Sequence, residues 1–382
     1  MQMLTDKKPY EPLILNAVIR KSLKVSVFLG CQVLLIITLG EIALRVLGFS
    51  AIGGASDYKI NYHPVLGWRY PPHVTMTEKG FEWNVKVITN KDGFREIKNP
   101  RIKKIGDYRV LIIGDSLAEG LGIAQERRFS DVSEQLSNAQ CGYRKRIQIF
   151  NAGMRGYSLT QYYLLFQSFF KKYDPDLVVF TMTRGDPETA SHQLGRTHYF
   201  RPYFEVKSGQ LKLKGVPVPV ADKRFDQDAE KLFPLERIKK YLRYSAFYCL
   251  LASVSRTSGI AHRFAMLFKL KSEVPPINAD QAANGKAVAA SEKVHLVSKL
   301  IFQNVLEMTR QSNATFLVFG LFDPAQKEYA EYLRETSKEL NFSYLNFQEE
   351  NELYKKSPEK YHFRFDSHFN EKGHELAAIS LA

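Results

Sequence analysis

From residue 109 the sequence alternates short apolar runs with helical stretches, and this rhythm limits the fold more than any other feature. RVLIIG (109–114) is followed by ERRFSDVSEQL, RIQIFNAG (146–153) by SLTQYYLLFQSFFKKY, and DLVVFTM (176–182) continues the pattern. It resumes with a helix over 291–311, on which Val297, Leu300, Ile301, Val305 and Met308 share a face. The strand TFLVFGLF, the helix QKEYAEYLRETSKEL and the strand SYLNF come after it. Runs that are apolar on both faces and separated by helices form a parallel sheet covered on both sides. The reading is α/β: a three-layer sandwich with a central parallel sheet, flavodoxin-like in class. A chain of 382 residues, 45% of them hydrophobic, can bury such a core.

The first run ends in Gly114-Asp115-Ser116, which puts a hydroxyl where strand gives way to a helix expected beyond Gly120. Backbone N–H groups at such a strand end lack intrahelical partners and favour negative charge. Two readings fit Ser116: an N-cap, or a nucleophile presented at the tip of a sheet.

Residues 25–49, VSVFLGCQVLLIITLGEIALRVLGF, carry no charge before Glu41. Spanning a bilayer takes about 20 residues, with Glu41 and Arg45 at the far interface. Arg20, Lys21 and Lys24 lie on the near flank and only Arg45 on the far side up to Asp57, so the positive-inside rule puts the N-terminus in the cytoplasm. The division expected is a cytoplasmic leader over 1–24, a transmembrane anchor over 25–47 and an extracytoplasmic remainder. A signal peptide cut at Gly53-Gly54-Ala55-Ser56 is the competing reading, and the long polar leader favours the anchor.

The net charge of +14 is spread along the chain among acids, a solvated surface and no stripe for nucleic acid. Cys31, Cys141 and Cys249 are too few for a disulfide framework and lack metal-ligand spacing with histidines. No cofactor or metal motif is apparent.

Residues 57–108 are rich in aromatics and turns, with HPVLGWRYPP, an alternating FEWNVKVI that reads as a hairpin strand, and a turn at Asp92-Gly93. They are expected to pack as a collar on the main domain, 109–382. An insertion over 187–290 interrupts that domain, with a hairpin turning at Ser208-Gly209, a helix LERIKKYLRYSAFYCLLASV and a mobile loop SEVPPINADQAANGKAVAASE.

Near the C-terminus, RFDSHFNEKGHELAA sets Asp366 and His368 two residues apart before a helix. A triad needs a base for the hydroxyl proton and a carboxylate to fix the imidazole tautomer, and this loop offers both. His374 reads as a packing residue, Asp115 as a loop brace, and Trp68, Tyr70 and Trp83 as collar packing or a sugar platform. His192 and His198 are candidates for the pocket wall or the surface, and Arg184-Gly185-Asp186 is a chance RGD.

In their order from about residue 60 to the C-terminus these blocks resemble the SGNH (GDSL) hydrolases, in their membrane-anchored bacterial branch. The resemblance implies that Ser116 is the nucleophile, with Asp366 and His368 completing the triad. It also implies that the N–H groups of Ser116 and of Gly156 in NAGMRGYS form the oxyanion hole. One block departs: where the family presents Gly-x-Asn-Asp, this chain reads Thr183-Arg184-Gly185-Asp186, so Gly185 removes a side-chain donor worth about 10²- to 10³-fold in rate. Arg184 is the candidate substitute. The implied activity is hydrolysis of acyl esters, of glycans or lipids, outside the cytoplasm. Acyl transfer to a polysaccharide hydroxyl with the same triad, and a non-catalytic glycan-binding scaffold, are the alternatives.

Overall fold

Leu111 and Ile113 face one side of a central sheet, and Val110 and Ile112 face the other. This two-sided burial makes the apolar run a central strand. A computed structural model describes residues 11–49, 60–141, 145–183, 186, 190, 200–220, 242, 244–257, 286–322, 327–364 and 366–382.

Helix α1 (Glu11–Val46) is continuous, so the second half of the expected leader is helical and runs without a break into the apolar stretch. At about 1.5 Å per residue it is longer than a bilayer core requires. The segment Arg20–Val46 is long and apolar enough to cross a membrane, and Phe28, Leu34 and Ile36 stand exposed on it.

Two antiparallel hairpins follow: β1 (Asn61–His63) with β2 (Gly67–Arg69), and β3 (Thr75–Lys79) with β4 (Asn84–Ile88). FEWNVKVI is a strand only from Asn84. Phe81 and Trp83 belong to the turn, because Gly80 N–H closes onto the Trp83 carbonyl at 2.9 Å.

The main domain contains β5 (Asp107–Ile113), helix α2 (Ser116–Glu119), α3 (Phe129–Cys141), β6 (Arg146–Asn151), α4 (Leu159–Tyr173) and β7 (Leu177–Met182). The hairpin β8 (Tyr203–Lys207) and β9 (Gln210–Lys214) turns at Ser208-Gly209, as the sequence predicts. Helices α5 (Ala246–Thr257) and α6 (Lys286–Gln311) precede β10 (Thr315–Gly320), α7 (Lys327–Leu340), β11 (Ser343–Asn346) and α8 (Glu371–Leu381).

The five-stranded sheet is parallel throughout, in the order β11-β10-β7-β5-β6. Counted by position along the chain this is 2-1-3-4-5 read from β6, the flavodoxin-like order, whose ligand crevice lies at the carboxyl ends of the strands where the order reverses. Here that crevice is between β5 and β7. On one face α4 and α6 bury Phe166, Ile301 and Phe302 with Phe180 and Phe316. On the other, α3 and α8 bury Phe129, Ala377 and Ala378 with Val179 and Phe319.

Two expectations in the insertion need correction. Lys286 to Glu292, read as mobile loop, belongs to α6, consistent with the strong helix propensity of its alanines. LERIKKYLRYSAFYCLLASV is broken in its described part: Leu242 is helical, Tyr244 is in a turn, and a new helix starts at Ala246, where Ser245 Oγ accepts the Tyr248 N–H at 3.1 Å. Most of the insertion lies outside the described residues.

Candidate active site

Asp115 is the residue that caps α2. Its Oδ1 accepts the Leu117 N–H at 2.9 Å, so Ser116 opens the helix and keeps its hydroxyl for another partner. The helix expected beyond Gly120 is α3, and the single turn α2 that precedes it from Ser116 was not foreseen. That partner is His368: Ser116 Oγ lies 2.7 Å from its Nε2 across 252 residues of sequence. His368 Nδ1 donates to Asp366 Oδ1 at 2.5 Å, and the same oxygen accepts the His368 backbone N–H at 2.9 Å. With Nδ1 protonated toward the carboxylate, Nε2 is the acceptor for the serine proton. The site sits at the carboxyl end of β5, in the crevice beside β7.

Neither the Ser116 nor the Gly156 N–H has a hydrogen-bond acceptor among the described residues. Gly156 has a positive φ of 72°. Arg184 and Gly185 lie outside the described residues, as do His192 and His198.

The β7 end contributes two further groups. Thr183 Oγ1 donates to Asp115 Oδ2 at 2.8 Å, and Asp186 Oδ2 accepts the Thr183 N–H at 2.6 Å. Desolvation pushes both Asp115 and Asp186 above the usual carboxylate range, and their mutual repulsion pushes Asp186 further. Tyr162 Oη donates to Asp186 at 3.3 Å.

Behind the serine is a buried ionic network that sequence reading does not identify. Glu119, three residues after Ser116 and fully buried, accepts the Tyr70 hydroxyl at 2.6 Å and the Arg155 backbone N–H at 2.7 Å. The Arg155 guanidinium spans Glu119 and Glu78 of β3. Burial alone would raise the Glu119 carboxyl, and Arg155 outweighs it and holds it below its usual range. Arg95, with no exposed surface, donates to the Gly120 carbonyl at 2.5 Å and to that of Ile123. Gly153 allows the close approach this network needs, since a Cβ there would lie 2.4 Å from the Glu119 nitrogen. The collar thus packs on the Ser116 turn and on the loop that carries Gly156. The one sequence signal was the presence of charge inside otherwise small and apolar blocks.

Tyr70 and Trp68 are buried, and Trp68 Nε1 donates to the Arg155 carbonyl at 3.0 Å, so both are collar packing. His374 is buried on α8, where Nδ1 accepts the first N–H of α3, from Phe129, at 3.1 Å. Burial pushes its pKa down to about 3. Cys141 is exposed and Cys249 is buried.

No family model matches the sequence, and no curated protein matches it. Among solved structures the chain is similar to esterase EstA from Pseudoalteromonas sp., at 12% identity over 72% of this chain and 94% of that one, with a TM-score of 0.36. It is similar to the acetyl xylan esterase AlAXEase, at 13% identity over 72% and 97% of the two chains, with a TM-score of 0.35. A variant of the acetyl-xylooligosaccharide esterase Axe2 from Geobacillus is similar at 12% identity over 73% and 94%, with a TM-score of 0.38. By its own sheet order, with the serine at the end of the first parallel strand and the Asp-x-His loop before the last helix, the chain has an SGNH-like α/β fold.

Proposed function

We propose that this protein is a membrane-anchored serine ester hydrolase of the SGNH type, acting on acyl esters outside the cytoplasm. The observation that carries the reading is the line of contacts Ser116–His368–Asp366. In the reaction, Ser116 Oγ attacks the acyl carbon while His368 Nε2 takes its proton. Asp366 holds the imidazole and offsets the charge it gains, and the Ser116 and Gly156 N–H groups receive the oxyanion. His368 then protonates the leaving alkoxide, and water, activated by the same histidine, releases the acid from the acyl-enzyme. Arg184 is proposed as the third donor in place of the missing asparagine.

The anchor, in preference to a cleaved signal peptide, is supported by what the folded domain takes from α1. Leu44 and Phe49 pack with Phe81, Ala246 and Cys249, and Glu41 Oε2 accepts the Phe247 N–H at 2.9 Å. Cleavage near residue 55 would remove all of these partners.

A fluorescent phosphonate ester applied to membranes containing the full chain tests the activity. The expected result is covalent labelling that is lost in Ser116→Ala and strongly reduced in His368→Ala. Silence of the wild type, together with no hydrolysis of short acyl esters or acetylated sugars, would leave the scaffold reading.

A further inference from the structure

The turn Gly80 to Trp83 touches the end of the membrane helix on one side and the loop of His368 on the other. Phe81, 4% exposed, stacks on Phe49 with ring centroids 5.0 Å apart. Two residues on, Trp83 packs against Phe363 at 4.8 Å, and Glu82 Oε1 accepts the Arg364 N–H at 2.9 Å. Phe363 N–H in turn donates to the His368 carbonyl at 3.0 Å. A single tight turn therefore separates the end of α1 from the base of the triad.

That end of α1 is docked and does not act as a loose tether. A Cβ on Gly40 would lie 2.7 Å from the Phe247 ring, so glycine lets α5 lie against the helix. Glu41 Oε2 accepts from Ser245 Oγ at 2.9 Å as well as from the Phe247 N–H, and Arg45 donates to the Tyr244 carbonyl at 3.1 Å. Tyr244 and Leu251 remain exposed beside this junction. Apolar and aromatic side chains at the exit of a membrane helix suit the head-group layer.

The height of the site follows from helix geometry. About 20 residues fill the hydrocarbon core, so a span starting at Lys21 leaves it at Glu41, the charged residue at the far interface. Val46, the last residue of α1, is five residues further, roughly 7 Å out; the chain then folds back, the Phe49 N–H donating to the Leu44 carbonyl at 3.0 Å, and the head-group layer is about 5–7 Å thick. The Phe49–Phe81 contact thus lies at the outer edge of the head groups, with Trp83 and the His368 loop just beyond. Ile105, before β5 and fully exposed, lies at the opposite end of the sheet from Ser116.

We propose that the site opens onto the bilayer surface and takes acyl esters borne on the polar heads of membrane lipids, not the tail esters below them. This rests on the anchored-hydrolase reading above. An ester held in that layer meets the serine without leaving the membrane, and the docked turn sets the distance.

The test uses the full chain in phosphatidylcholine vesicles with three probes: an activated acetyl ester coupled to a phosphatidylethanolamine head, the same ester free in water, and a phospholipid with a fluorogenic tail ester. The expected result is hydrolysis of the head-borne ester well above the tail ester. In Phe81→Ala, and separately in Gly40→Leu, head-borne turnover should fall at least tenfold while turnover of the free ester stays within twofold. Equal loss on both probes, or preference for the tail ester, overturns the proposal. A second measurement does not depend on activity. Spin labels at Lys360→Cys, beside the His368 loop, and at Ile105→Cys, in chains whose Cys31, Cys141 and Cys249 are alanine, are relaxed by nickel-chelating lipid heads. Stronger relaxation at position 360 is expected. Stronger relaxation at 105, or none at either, overturns the proposal even if the hydrolase reading stands. A silent phosphonate probe with strong relaxation at 360 would instead sink the hydrolase reading and keep the orientation.

Discussion

Asp115 caps the helix that Ser116 begins, which leaves the serine hydroxyl for His368 at 2.7 Å. An N-cap serine would spend its oxygen on a backbone amide. Ser116→Ala should therefore leave stability within about 0.5 kcal/mol, as for changes away from structural contacts, while hydrolysis falls to background. Asp115→Ala should do the reverse first, costing about 1 kcal/mol through the lost cap. Urea midpoints and ester turnover on the two variants separate the roles.

Asp366→Asn keeps the shape of the loop but removes the charge that fixes the His368 tautomer. The expected loss in kcat is about 10⁴-fold, with KM little changed, as for a carboxylate that orients the base. Steady-state kinetics on a small acetyl ester would read it, and a loss below tenfold would remove Asp366 from the triad.

Glu119→Gln leaves Arg155 facing Glu78 alone and frees the loop before Gly156. Removing one partner of a buried ion pair costs about 3–5 kcal/mol, and the part-exposed Arg155 puts this case near the lower end. Turnover should fall even under conditions where the variant is fully folded, because the Gly156 N–H loses its brace. Tyr70→Phe, which removes one hydrogen bond to the same carboxylate, should cost about 1–2 kcal/mol. Chemical denaturation followed by kcat on the folded fraction checks both.

His374 must stay neutral in the fold, with its pKa near 3 against an ordinary 6.5. Between those values the unfolded chain binds the proton and the folded chain does not, so its contribution is full above pH 6.5 and is lost as pH falls toward 3. The expected slope is about 1.4 kcal/mol per pH unit within that window. His374→Gln retains an acceptor for Phe129 without titrating and should flatten this part of the stability profile, measured by urea melts at several pH values.

Gly185→Asn supplies the donor that the block lacks, and turnover on an activated ester should rise by up to about 10²-fold. If Arg184 already serves as that donor, the same change does little and Arg184→Ala lowers turnover sharply. Kinetics on the two variants and the wild type, side by side, decide between these outcomes.

The sheet and the Ser116–His368–Asp366 line of contacts were legible because both are written in local terms. Val110 to Ile113 is apolar on both faces, which only a covered strand tolerates, and Asp366 and His368 share one short loop. What was not legible depends on long-range pairing. Glu78, Glu119 and Arg155 read as surface charge until the fold closes 36 and 77 residues of separation between them. The single turn α2 was not foreseen for a related reason: Asp and Ser are both good caps, and only the geometry at the strand end decides which one caps. The break inside the helix expected over 235–254 was missed because Ser245, a polar residue among apolar ones, gave less signal in sequence than its side-chain bond to Tyr248 carries in the fold.

Ser116 and His368 are 252 residues apart in the sequence and meet only through tertiary structure. The strand that ends at Ser116 can form from local pairing, whereas the His368 loop is seated only when α8 packs on Phe129. A partly folded chain with β5 in place and α8 detached would therefore present the serine as an ordinary alcohol with no imidazole beside it. The contact between the two side chains reports completion of the fold, not formation of the sheet edge alone.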